Sequence, residues 1–101
     1  MALPGEMTPL AKDAAEVLGL TALGWVAADE HRAGQFFAMA GTNSDEMRAR
    51  AQDPEYLGFV LDYVLSDEAM LMAFCEAADV PPDRPMRARA GLPGGDLPHW
   101  T

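Results

Sequence analysis

The chain has 101 residues, and its sixteen Asp and Glu outweigh seven Lys and Arg to give a formal net charge of −9. That length makes one domain rather than two, and a half-hydrophobic composition supplies a modest core, which excludes wholesale disorder. The acidic balance weighs against a general binder of nucleic acid or anionic membrane, because like charges repel a polyanion. A single Cys excludes an intramolecular disulfide framework and a cysteine-rich zinc site.

Met1 to Met7 carries neither the basic region nor the apolar run of a signal or transit peptide. The longest apolar stretch, Val17 to Ala28, falls well short of the roughly twenty residues a membrane-spanning helix needs. With a lone thiol, the expected compartment is the cytoplasm.

Helix punctuation is dense and strand alternation is absent. Thr8-Pro9 reads as an N-cap and first helical position, opening a helix to about Ala28. The second half of that helix, Val17 to Val26, is apolar on every face, which predicts a central element buried all round, with Gly19 and Gly24 admitting close neighbours. Asp29 caps a second helix that Gly41 ends. Asn43 or Ser44 caps a third, running to about Gln52. Asp53-Pro54 opens a fourth, in which Leu57, Val60, Leu61 and Val64 share one face. Ser66 or Asp67 caps a fifth, with Leu71, Phe74, Cys75 and Ala78 on its inner side. Pro81-Pro82 introduce a sixth to about Ala90, where Pro85 is tolerated in the first turn because those amides have no partner inside the helix. The expected fold is an all-α compact bundle of five or six short helices over residues 1–90, followed by a flexible Pro/Gly-rich tail over residues 91–101.

The two halves resemble each other. Laying Val26 to Glu30 over Val64 to Glu68 aligns Phe36 with Phe74 and Ala40 with Ala78. One inserted residue then brings Met47-Arg-Ala-Arg-Ala51 onto Met86-Arg-Ala-Arg-Ala90. Leu23 and Trp25 fall over Leu61 and Tyr63. A period of about 38 residues lies in the range of helical repeats, and two copies suit a closed bundle of two related three-helix units with pseudo-two-fold symmetry.

Residues with chemical potential read mostly as structure. The pairs Asp29-Glu30, Asp45-Glu46 and Asp67-Glu68 stand at helix starts, where carboxylates complement free amides and the dipole. His31 lacks a ligand one turn away, His99 lies in the tail, and Cys75 sits on an apolar stripe away from any activating base. No nucleophile elbow, phosphate loop or dinucleotide fingerprint occurs, so no catalytic residue, metal or cofactor is expected. Five of the seven basic residues, Arg48, Arg50, Arg84, Arg87 and Arg89, fall on the third and sixth helices, the position of a recognition helix in a three-helix DNA-binding unit. Between their ends those helices lack the Asn, Gln and Ser that accompany base reading, and Glu46–Arg50 and Asp83–Arg87 are favourable ion-pair spacings within a helix. Met70 and Met72 cannot share a helix face, so one of them points away from the main core. Trp100 in Leu97-Pro98-His99-Trp100 either docks on a partner or folds back.

The runs Leu20 to Asp29, Phe36 to Gly41, Arg48 to Pro54 and Tyr63 to Glu68 together resemble a family of short alphaproteobacterial helical proteins classed as a domain of unknown function. The resemblance spans about Thr8 to Ala90. Asp79 and Pro85 depart from the family pattern, which favours a Gly and a helix former there. The resemblance implies a small all-helical soluble protein and carries over no activity and no site.

These features lead to a non-enzymatic protein-interaction module, a monomer or weak homodimer without membrane association. Its candidate surface comprises Arg48, Arg50, Arg87, Arg89, Met70 and Trp100. The alternative is a nucleic-acid-associated regulator acting through the arginines of helices three and six.

Overall fold

In the computed structural model, which describes residues 8–93, six helices follow one another: α1 Lys12–Ala27, α2 Glu30–Ala40, α3 Ser44–Ala49, α4 Pro54–Leu65, α5 Glu68–Ala78 and α6 Arg84–Ala90. The described residues contain no strand. Four helices start at the caps that the sequence marks. The Asp29 side chain accepts from the amides of His31 and Arg32, Asn43 from Glu46, Asp53 from Glu55 and Asp67 from Met70. Each such cap is worth about 1 kcal/mol relative to Ala.

Three boundaries shift, each because a tertiary or turn contact outweighs a local signal. α1 begins at Lys12 and not after Thr8, with no side-chain cap. The segment before it is held against α6 instead: the Leu10 amide donates to the Arg87 carbonyl at 3.0 Å, and Arg87 Nε donates to the Thr8 carbonyl at 2.9 Å. α3 stops at Ala49 because Arg50 turns the chain, its carbonyl accepting from the Asp53 amide at 2.9 Å while its guanidinium reaches the Asp53 carboxylate. α6 starts at Arg84, later than the Pro pair, with Pro85 buried in its first turn. Leu92, which composition assigns to the tail, is buried in the core, whereas residues 94–101 lie outside the described residues.

The repeat governs the first two helices of each half. Advancing the bounds of α2 by the sequence period gives those of α5. Both helices end on a left-handed residue, Gly41 at φ 69° and Asp79 at φ 57°. The packing is reciprocal as well. Phe36 of α2 lies against Tyr63 of α4 at 5.6 Å between ring centroids, and its repeat partner Phe74 of α5 lies against Trp25 of α1 at 5.5 Å. Each half thus inserts its Phe against the first helix of the other. The third helices break this relation. α6 packs on both α1 and α4, α3 has no comparable contact with either, and Met47 is buried where its counterpart Met86 is exposed.

The core is centred on the pairing of α1 with α4. Ala15, Leu18, Gly19, Ala22 and Val26 form the inner stripe of α1, facing a bundle interior built from Leu57, Val60, Leu61 and Val64 of α4. The approach is close at Gly19, where an added Cβ would come within 2.9 Å of Leu57 Cβ. α6 closes over the pair: Arg89 reaches Asp62 of α4 through Nε at 2.6 Å and Nη2 at 3.2 Å, and lies over Gly58.

The expectation that α1 is buried on all sides is corrected. Val17 is 67% exposed and Leu20 46%, and Gly24 has open space where a side chain would stand. Six short helices do not provide enough chain to surround a central helix, so α1 is covered on one side only. Among the described residues, no helix is long and apolar enough to cross a membrane.

Two substitutions test this packing. Gly91→Ala would drive a Cβ into the Leu10 carbonyl oxygen and prise α6 from the N-terminal segment; a loss of about 1–3 kcal/mol in chemical denaturation is expected. Asp79→Gly removes the cost of a left-handed side-chain-bearing residue and should raise stability by about 1 kcal/mol in the same assay.

Candidate interaction surface

The arginines of the third and sixth helices are not gathered into one basic face. α3 and α6 make no extended contact with each other, and Arg48, Arg50, Arg87 and Arg89 are engaged by acids or carbonyls of their own chain, whereas Arg84 stands beside Val17 and Val80 with no such partner among the described residues. Arg48 pairs with Asp45 on the surface. Arg50 makes its tightest pair with Asp53 at 2.7 Å, reaches Glu46 at 3.6 Å and Glu55 at 3.5 Å, and lies over the Tyr56 ring at 5.1 Å. Arg87 holds the Thr8 carbonyl and stands 3.8 Å from Asp83. Arg89, with only 15% of its side chain exposed, ties α6 to Asp62 and donates to the Pro93 carbonyl at 3.0 Å. The helical spacings Glu46–Arg50 and Asp83–Arg87 do form, at the long end of ion-pair distance. The stronger contacts of these arginines are with a helix cap, a neighbouring helix and a backbone carbonyl.

These pairs fix local electrostatics. Hydrogen bonds from Arg50 and from the Glu55 amide hold the Asp53 carboxyl below its ordinary value. Asp29 is likewise lowered, first by the amide of Arg32 and then by that of His31. Burial pushes the Cys75 thiol up, away from thiolate reactivity.

A sixth arginine carries no signal in the sequence analysis. Arg32 lies over the Trp25 ring at 3.8 Å, donates to the Trp25 carbonyl at 2.7 Å and pairs with Asp29 at 3.3 Å. It locks the α1–α2 corner. An Arg three residues after a capping Asp and seven after a Trp was the available clue, and its meaning depends on the turn between the helices.

Of the two α5 methionines, Met70 is half-buried against the core and Met72 is the outward one. Met39 and Met86 are also exposed, on α2 and α6. Trp100 and His99 lie outside the described residues.

The surface that composition and spacing missed is the outer side of α1. Asp13, Val17, Leu20, Gly24 and Ala27 are all exposed and follow one another at alternating intervals of four and three residues, the spacing of a helix-pairing seam. Beside this stripe run two open grooves that meet at Ala51. One, of about 380 Å³, is lined by Asp13, Glu16, Val17 and Leu20 against Ala51, Gln52 and Leu57. The other, of about 400 Å³, continues past Leu23 and Ala27 against Phe37, Met47 and Arg48. Together they make a furrow along nearly the whole of α1.

The lowered Asp29 and Asp53 values set a pH dependence. A carboxyl with its folded value below its unfolded one adds stability that is complete above the unfolded value and is lost as pH falls through the folded one. Thermal melts should therefore decline as the pH drops below about 4, and Asp29→Asn with Asp53→Asn should flatten that decline. An equal acid slope in the double variant would remove these two caps as its source.

No curated protein and no solved structure matches this chain. A family model described as a protein of unknown function, DUF3572, matches residues 12–95, which takes in all six helices. The chain belongs to the DUF3572 family of proteins of unknown function.

Proposed function

We propose that this protein is a non-enzymatic protein-interaction module of the cytoplasm, which binds another protein through the outer stripe of α1. The observation that carries this reading is the exposure of Val17 and Leu20 on a helix whose composition belongs in an interior. Their cost in water is removed when a partner covers them, at roughly 25 cal/mol per Å² of apolar surface. Two further features support the interaction reading over nucleic-acid binding: four of the five arginines of α3 and α6, Arg48, Arg50, Arg87 and Arg89, are engaged within the chain, and the net charge is −9. Phosphate recognition needs cations free to displace counterions.

The test replaces both exposed residues, Val17→Ser with Leu20→Ser. Because they touch little of the core, folding stability should stay within about 0.5 kcal/mol of the parent. Partner recovery by in-cell cross-linking from α1 should fall by about tenfold, a loss of roughly 1.4 kcal/mol in binding. Undiminished recovery by a folded double variant would discard α1 as the binding face. Salt-dependent duplex binding lost on Arg48→Ala would instead favour the nucleic-acid reading.

A further inference from the structure

The furrow along α1 has a definite length, a definite pattern and an uneven charge, and these constrain what can lie in it. From Asp13 to Ala27 the helix axis advances about 21 Å, four turns of a facing helix. Val17, Leu20, Gly24 and Ala27 repeat at the interval at which two helices keep a common seam. Large residues stand at one end and small ones at the other, so a facing helix can approach most closely near Gly24. That glycine is otherwise unexplained. Gly19 is required by the contact with Leu57, whereas a Cβ at Gly24 would meet nothing within 4 Å. The close approach that Gly24 permits is unused within the chain.

Charge narrows the occupant. Asp13 and Glu16 line the furrow at the Val17 end, and among the described residues neither has a cationic partner. Asp13 lies in the first turn of α1, where a carboxylate complements the helix dipole; Glu16 is a turn further on and beyond that effect. A second copy of this chain would bring another −9 to the contact and offer these acids little free cation from its own furrow: Arg48 at the far end already pairs with Asp45, and Arg84 stands across Val17, outside the furrow.

We infer that the furrow on α1 receives an amphipathic helix of a different protein, about four turns long, with an apolar seam of heptad spacing and Lys or Arg at the end that meets Asp13 and Glu16. This rests on the interaction reading above and specifies its partner. The helix lies in the groove by its apolar face, and the basic end sets its direction along α1.

The probe is a pair of synthetic helices of about 18 residues with Leu at the seam positions, one carrying Lys and the other Glu at the flanking positions. Added to the full-length protein labelled for NMR, the Lys helix should move the amide resonances of residues 13–27 and of Ala51 saturably, and the Glu helix should not. Leu20→Glu should weaken the Lys helix by roughly tenfold or more. Asp13→Lys with Glu16→Lys should reverse the preference between the two peptides. The proposal is overturned by equal binding of both peptides, by resonances that move elsewhere, or by no movement at all. It is also overturned by concentration-dependent self-association of the protein alone that Leu20→Glu abolishes, because a second copy would then occupy the furrow. If the Lys helix fails while the α1 serine variant still loses its cellular partner, the interaction reading stands and only the partner's chemistry is wrong.

Discussion

The contact of Gly19 with Leu57 is the constraint on which the arrangement of this protein depends. Without a side chain at 19, α1 settles directly onto α4, and Ala15, Ala22 and Val26 on the same stripe of α1 are fully buried. Fixing that stripe inward also fixes what points outward. At about 100° per residue, Val17, Leu20, Gly24 and Ala27 lie nearly opposite the buried stripe. The exposed apolar seam is therefore a geometric consequence of the close contact between α1 and α4. A larger residue at 19 would separate the helices and rotate or loosen both stripes together.

Around this pair the remaining helices have unequal duties. α2 and α5 are related, each delivering a buried Phe to the first helix of the opposite half, so the halves interlock and neither has a complete core by itself. α6 has become the closing element. Arg89 fastens it to Asp62, Arg87 and the Arg87 carbonyl fasten the segment before α1, and Leu92 completes the interior. α3 has no such role and stands beside the furrow, contributing Met47 and Arg48 to its wall. The departure from symmetry thus leaves one side of α1 covered by α6 and the other open. Basic residues at matching sequence positions serve different purposes as a result: Arg50 stabilises a turn, and Arg89 joins two helices.

Much of the fold was legible in the residues themselves. Asp29, Asn43, Asp53 and Asp67 announced four helix starts, because a side-chain oxygen one residue ahead of a helix satisfies amides that nothing else can reach. Gly41 announced a C-terminus for the same local reason. The α1 start was misplaced because Thr8-Pro9 is a valid local signal, overridden by hydrogen bonds to Arg87, a residue distant in sequence. The arginine surface was misread for a related reason: the ion-pair spacings inside a helix are visible in sequence, whereas a bond from Arg89 to Asp62 requires knowing that α6 crosses α4.

The sequence by itself determined the helical class, the order and approximate extent of the six helices and the acidic balance, since caps, periodicity and charge act over a few residues. Only the tertiary structure decided which sides of those helices meet. A run such as Val17 to Val26, apolar on every face, carries no mark of which face a small chain will leave uncovered. That choice was made where Gly19 met Leu57, and it turned Val17, Leu20 and Gly24 from expected interior into the open seam of the molecule.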